Sequence, residues 1–285
     1  MSILLSVVIV NYNTREDLRA CLTAIHNCRP MPEVIVVDNA SNDGSAEMVR
    51  AEFPRVVLLT PGRNTWFCGG NNLGVAAAHG KYALLLNPDT VPPPGAFARM
   101  VDFMEHNPHY AGVTMQLRYP NGEIQRTCSR IPTFDYLLLT QTPLRWILTR
   151  MRRRAERHHW YEGWNRDTDF DVEAVPGSCT LMRRDELALD DDLLLYFPEE
   201  DLGQRAGTGK SARKFRFLAD QWILHKEKSA TRTPLATRIY FRDMIVYTRK
   251  YHGARRAWML WALSRPLAWA LAISWEVKKR REKLK

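Results

Sequence analysis

The sequence predicts an α/β protein, a mostly parallel mixed sheet flanked by helices with a helical C-terminal extension, and three observations carry that reading. Apolar runs at residues 4–10, 34–37 and 82–86 each stop on a polar side chain, Asn11, Asp38 or Asn87. Short continuous apolar runs of this kind read as strands buried on both faces. Segments of helical periodicity separate them, which implies right-handed crossovers between parallel strands. The third observation is a concentration of Trp and basic residues after residue 238, unlike anything before it.

The elements follow in order. Residues 4–10 lack a basic lead-in and run directly into Asn11-Tyr12-Asn13, so they read as a first strand rather than a signal peptide. Thr14 is placed to cap a helix whose first turn holds Glu16 and Asp17, favourable beside the positive end of the helix dipole. Leu18, Cys21, Leu22 and Ile25 then share one apolar face. Residues 34–37 form the second strand, 46–53 a helix, 56–59 the third strand, 74–79 part of a third helix and 82–86 the fourth strand. Pro92-Pro93-Pro94 stops that strand from continuing. Residues 97–106 read as a helix, and 111–130 and 172–183 supply further strands, with Asn121-Gly122 signalling an antiparallel turn. Residues 145–157 set Arg150, Arg152, Arg153, Arg154 and Arg157 around Trp146, Ile147, Leu148 and Met151.

The chain has 285 residues, 45% hydrophobic and 25% charged, ordinary for a globular protein with a substantial core. Five cysteines without a Cys-x-x-Cys pair suggest unpaired thiols and a reducing compartment. The net charge of +10 is local: residues 238–285 hold 13 Lys/Arg against 3 Asp/Glu, and residues 1–237 hold 28 of each sign. A nucleic-acid footprint would therefore lie wholly in the tail, whose apolar content favours lipid instead. There Arg265-Pro266 divides a Trp-rich stretch, from Trp258 to Trp275, into pieces too short to span a bilayer. Trp-rich faces flanked by Lys278-Lys279-Arg280-Arg281 fit helices lying in an anionic membrane interface.

The chemistry is concentrated at the strand ends. Asp89 follows the fourth strand, on the sheet edge where α/β proteins bind ligands, and a carboxylate there suits a divalent cation and a substrate diphosphate. The polar segment Asn11-Tyr12-Asn13, the turn Asp38-Asn39-Ala40-Ser41-Asn42-Asp43-Gly44, and the stretch Asn64-Thr65-Trp66-Phe67-Cys68-Gly69-Gly70-Asn71-Asn72-Leu73-Gly74 precede it. The last reads as a Gly/Asn loop entering a helix, its glycines allowing close backbone approach to a ligand.

These segments, with Asn87-Pro88-Asp89, resemble the family 2 glycosyltransferases of GT-A fold, most closely the rhamnosyltransferase-like branch, over residues 4–232. The resemblance implies inverting transfer of a sugar from a nucleoside diphosphate, with Mg²⁺ or Mn²⁺ on the diphosphate. It implies that Asp38 binds the nucleobase, that Asn11, Asn13, Asn64, Asn72, Asn87 and Arg205 contact the donor, and that Asp89 is the metal ligand of an Asp-x-Asp motif whose first position here is Asn87. An inverting transfer needs a base, and Phe197-Pro198-Glu199-Glu200-Asp201-Leu202 through Arg205 resembles the segment that supplies it. Alignment on Asp201 and Arg205 puts Glu199 at the base position, with Glu200 one slip away and Asp201 the third candidate catalytic acid of the run. His225, followed by Ser229, resembles the late His that completes the metal or diphosphate shell. Gly177, Ser178 and Arg183 resemble the acceptor side. The division implied is a catalytic domain at 1–237, with a nucleotide-sugar half at 1–90 and an acceptor half at 91–237, and a tail at 238–285.

Two other folds of similar opening fail on the first loop. A dinucleotide-binding domain needs Gly-x-Gly-x-x-Gly after the first strand, and a sugar-phosphate nucleotidyltransferase opens on a Gly-rich basic loop, whereas residues 11–16 contain no glycine. The expectation is an inverting rhamnosyltransferase using dTDP-rhamnose, with UDP-sugars open. It would act on a lipid-linked envelope glycan from the cytoplasmic membrane face. A catalytically inactive interaction protein on the same scaffold is the alternative.

Overall fold

The computed structural model describes residues 3–208, 212–227 and 233–283. The first half alternates β1 (Leu5–Asn11), α1 (Arg15–His26), β2 (Glu33–Asp38), α2 (Ser45–Glu52), β3 (Val57–Leu59), α3 (Trp66–Ala77) and β4 (Tyr82–Leu86). Then come β5 (Thr90–Val91), α4 (Ala96–His106), β6 (Gly112–Arg118), α5 (Phe134–Gln141), α6 (Leu144–Ile147), α7 (Thr149–His159) and β7 (Phe170–Val172). The chain closes with β8 (Cys179–Arg183), α8 (Pro198–Ala206), β9 (Phe215–His225), α9 (Pro234–His252) and α10 (Ala254–Lys283).

All strands join one mixed sheet in the order β3-β2-β1-β4-β8-β6-β9-β5, with β7 also pairing β9. The first four are parallel, and β8 enters antiparallel between β4 and β6. Register sets Asn11 opposite Asp38 at the C-terminal ends of β1 and β2. Helices cover both faces, so Val7, Val8, Ile9, Leu84 and Leu85 are all buried regardless of the face they point to.

Several sequence expectations change. Asn121-Gly122 does make a tight turn, Gly122 N donating to Tyr119 O, but the return is a single bridge from Ile124 to Arg118 rather than a strand. The Gly/Asn stretch is helix from Trp66 onward. Its glycines serve packing: a Cβ on Gly74 would sit 2.3 Å from Val8 Cγ1, and one on Gly70 would sit 2.9 Å from Val10 Cγ1. The boundary at 237/238 falls inside α9, which packs into the main body, with Phe241, Met244 and Tyr247 in the core around Phe197 and Leu202. Arg265-Pro266 does not divide the tail, because α10 runs through Pro266. Ala257, Leu260, Ser264 and Leu267 are buried while Trp258, Trp261 and Trp269 are exposed, so α10 lies against the body on one side only. Among the described residues no helix is long and apolar enough to cross a membrane. Ser229 and the side chains of Trp275 and Lys278 to Arg281 lie outside the described residues.

Candidate active site

The donor edge is built where β1 and β2 end together. Asn11, fully buried, donates through Nδ2 to Asp38 Oδ1 at 2.9 Å and to Ser41 Oγ at 3.0 Å. Ser41 N donates to Asp38 Oδ2 at 3.1 Å, so the carboxylate is oriented by two donors. Asn13, at a left-handed φ of 55°, accepts from Asn42 N, and its own N donates to Ser41 Oγ. Thr14 sits at the N-cap of α1, but its hydroxyl turns to Asn11 Oδ1, and Asp43 accepts from Arg15 N in its place. Asn39, not singled out from the sequence, fixes the entry to α3: its Oδ1 accepts from Thr65 N and Oγ1, and its Nδ2 donates to Trp66 O. Asn64 accepts from Trp66 N. Asn72 is committed at both ends of its amide, donating to Leu189 O and Asp191 Oδ1 and accepting from Leu189 N, and so staples α3 to the loop before α8.

The candidate metal pair forms because β5 pairs with β9, Thr90 opposite His225. Asp89 and His225, each 8% exposed, place Oδ1 and Nε2 3.4 Å apart. Gln125 settles which nitrogen carries the proton. Its Nε2 donates to the His225 carbonyl at 2.7 Å, so its Oε1 faces His225 Nδ1 at 2.8 Å and that nitrogen must be the donor. In the neutral ring Nε2 then presents its lone pair toward Asp89, the tautomer a cation requires. Two ligands at this spacing fit a divalent ion whose remaining positions are filled by diphosphate oxygens and water. Among the described residues no group of three or more His, Cys, Asp or Glu is placed to hold a metal. Gln125 lies 100 residues from His225 and carries no local signal, so sequence reasoning passed over it.

One short segment ties this pair to the acids. Asn87 N donates to Ser178 O at 3.1 Å, and Gly177 N donates to Glu199 Oε1 at 2.9 Å. Glu199 and Glu200 open α8, which Phe197 enters at a left-handed φ of 68°. Burial raises the Glu199 carboxyl well above the usual carboxylate range, and the adjacent Glu200 charge raises it further. Burial also raises Glu200, and burial above all, with the Glu200 charge adding to it, pushes up Tyr136, Tyr240 and Tyr247 around it. Asp201 has a different job. Fully buried, it accepts from Arg205 at 2.8 Å, Lys250 at 2.6 Å and Tyr251 at 2.5 Å, locking α8 to α9. Arg205 also donates to Ala188 O. Asp243 Oδ2 accepts from the amides of Leu194, Leu195 and Tyr196, which fixes the approach to α8.

Arg183 is not brought together with the other acceptor-side candidates, Gly177 and Ser178. In β8, Cys179 pairs with Leu86 and Arg183 with Tyr82, so Arg183 lies at the opposite end of the sheet from Ser178. At about 3.3 Å per residue the two are roughly 16 Å apart. Arg183 donates there to the carbonyls of Pro108 and Tyr110. All five cysteines are free and buried, with Cys21 pushed up to about 12 by burial, so none is a ready nucleophile.

The sequence profile described as Glycosyl transferase family 2 matches residues 6–187. The N-acetylglucosaminyl-diphospho-decaprenol L-rhamnosyltransferase of Mycobacterium tuberculosis is 24% identical over 293 residues, covering 94% of this chain and 92% of that protein. Among solved structures the fold is similar to the mannosyltransferase PcManGT from Pyrobaculum calidifontis in complex with GDP-Man and Mn²⁺. The TM-score is 0.56 at 16% identity, over 95% of this chain and 73% of that one. It is also similar to S. aureus TarS 1-349 in complex with UDP, with a TM-score of 0.53 at 13% identity, over 86% of this chain and 65% of that one. The chain spans 40% of the longer TarS chain.

Proposed function

The chain belongs to glycosyltransferase family 2 and is a glycosyltransferase of GT-A fold; from this we propose that it transfers rhamnose from dTDP-rhamnose, with inversion, to a lipid-linked glycan acceptor. The Gly177-Ser178 bridge carries this reading, because it holds the candidate base and the Asn87-Pro88-Asp89 motif in one fixed relation. The rhamnosyl group and the lipid-linked acceptor follow the name of the Mycobacterium tuberculosis relative, which covers nearly the whole chain, and dTDP as the carrier follows the resemblance to the rhamnosyltransferase-like branch.

In this reading Asp38 meets the nucleobase, Asn11 and Asn13 shape the loop beside it, and Asn64 and Asn87 border the donor, while Asn72 and Arg205 act by holding the segment around residues 188–191. Asp89 and His225 would hold Mg²⁺ or Mn²⁺, which when bound offsets the charge developing on the departing diphosphate. Glu199 takes the proton of the acceptor hydroxyl. The hydroxyl oxygen bonds to the anomeric carbon from the face opposite the diphosphate, and the nucleoside diphosphate leaves with the electron pair of the broken bond. Gly177 N–H holds Glu199 in place, and burial makes its carboxylate a stronger base than an exposed one. Glu199 must be unprotonated to act, so turnover falls as pH drops through its raised pKa, well above the ordinary carboxylate range. The Trp face of α10 lies on the cytoplasmic leaflet and brings the protein to its acceptor, a peripheral attachment strengthened by the basic C-terminus.

Glu199→Gln should retain donor affinity by calorimetry and lose about 10²–10⁴-fold in kcat. An active Glu199→Gln beside an inactive Glu200→Gln moves the base to Glu200, and activity in both removes α8 from the chemistry. A donor screen by saturation-transfer NMR, with dTDP- and UDP-sugars, tests the nucleotide.

A further inference from the structure

Beyond the donor edge, α7 and the loop after it line an open cavity of about 750 Å³, bordered by Arg130, Arg154, Arg157, His158, Tyr161 and Trp164 among others. A smaller recess of about 360 Å³ shares Arg157 and Tyr161 and adds Arg126 and Gln125. Gln125 is the residue that orients His225, so the recess reaches the back of the candidate metal pair. On the other flank Arg130 pairs with Glu173, four residues before the Gly177 that holds Glu199. The two recesses are thus linked to the candidate metal pair through Gln125 and to the segment that holds Glu199 through Glu173.

Its chemistry is specific. In its lining Arg130 lies over Tyr161 at 4.6 Å with its Nε buried without a hydrogen-bond partner, and in the smaller recess Arg126 lies over the Trp160 ring at 4.8 Å. Glu162 pairs with Arg157 at 3.0 Å and Glu173 with Arg130 at 3.3 Å, and the lining still sets three guanidinium groups, of Arg130, Arg154 and Arg157, against the one carboxylate of Glu162. Several planar guanidinium groups converging on one cavity suit a concentrated, multidentate anion such as a diphosphate. At the other end of the same helix segment the surface changes character: Trp146, Ile147 and Met151 are 63%, 74% and 56% exposed. A ligand matching both ends has a doubly charged head and an apolar tail.

We propose that this cavity binds the diphosphate of the lipid-linked acceptor, with the apolar residues of α6 and the first turn of α7 against the lipid chain. The proposal rests on the lipid-linked acceptor of the preceding section. The chain thus holds two diphosphates separately, the donor's at Asp89 and His225 and the acceptor's at the arginines of α7.

The test uses the full chain and an Arg154→Ala/Arg157→Ala double variant, both positions being exposed and safe for folding. On neutral phosphatidylcholine vesicles carrying polyprenyl-diphosphate N-acetylglucosamine, the double variant should raise the acceptor KM about 30-fold, with donor affinity retained. Lysine at both positions should recover part of that loss. Inorganic pyrophosphate in EDTA, read by calorimetry, should bind the parent protein and not the double variant. An unchanged acceptor KM, or unchanged pyrophosphate binding, overturns the proposal. Equal loss of binding to phosphatidylglycerol vesicles free of acceptor also overturns it, since the arginines would then read membrane charge in general. If the parent protein transfers sugar to no acceptor yet pyrophosphate binding still depends on the two arginines, the cavity stands and the proposed function fails.

Discussion

Gly177→Ala is the smallest change that separates positioning of the base from its chemistry. An alanine Cβ at this position would lie 2.1 Å from Glu199 Oε1 and 2.8 Å from Phe67 Cζ. Ordinary contact begins at 3.4 Å, so the carboxylate must retreat by about 1.3 Å and the 2.9 Å hydrogen bond from Gly177 N must lengthen or break. The Phe67 ring closes one route of retreat. A displacement of about 1 Å in a catalytic group costs on the order of 10²-fold in rate, or roughly 2.7 kcal/mol of barrier. The amide also favours the charged carboxylate, so its loss moves the acid limb of the kcat–pH profile to higher pH. Initial rates across a pH series, with donor affinity measured by calorimetry, read both effects. The expected result is kcat down about 100-fold, an alkaline shift of the acid limb, and donor Kd within about twofold. A folded Gly177→Ala protein with parental kcat and an unmoved acid limb would refute the assignment of Glu199.

Three further predictions follow from other parts of the molecule. Gln125→Leu removes the acceptor that fixes the His225 tautomer and should weaken Mn²⁺ binding by about 10–100-fold, with nucleotide affinity in EDTA unaltered; equal Mn²⁺ titrations for the two proteins would contradict the pairing. Asp243→Ala leaves three amides of the 194–196 segment without their acceptor and should cost about 3–5 kcal/mol, lowering the melting midpoint by roughly 10 °C. A melt within 2 °C of the parent would show that those amides find other partners. Replacing Trp258, Trp261 and Trp269 by Ser should weaken binding to phosphatidylglycerol vesicles by roughly 100-fold without changing the melt. Undiminished sedimentation with the vesicles would remove this face from membrane contact.

The parallel half was legible because burial on both faces leaves an unbroken apolar run, and because those runs end on the candidate donor-site residues, Asn11, Asp38 and Asn87. Residues 64–74 misled for a physical reason. Gly and Asn are poor helix formers, and the helix exists because Gly70 and Gly74 let it press against Val10 and Val8, which local propensity does not encode. Asp201 looked like a third catalytic acid because sequence adjacency does not say which side of a helix each residue takes. Its partners Lys250 and Tyr251 lie about fifty residues on. Arg183 followed the right motif at the wrong end of a five-residue strand. The basic character of residues 238–252 concealed a core helix, since net charge counts the arginines on its outside and not Phe241, Met244 and Tyr247 on its inside.

The circumference of α10 is divided between two solvents. Ala257, Leu260, Ser264 and Leu267 face the protein, while Trp258, Trp261 and Trp269 face away. Such a helix tolerates substitution on either side but is sensitive to phase. One residue inserted just after Gly253 would turn everything downstream by about 100°, carrying the Trp residues toward the crowded seam with α9 and Leu260 away from it. Seven inserted residues return the faces to within about 20° of where they began. Length changes in this segment should therefore come in sevens, or in paired gains and losses that cancel, even where the identities of individual residues drift freely.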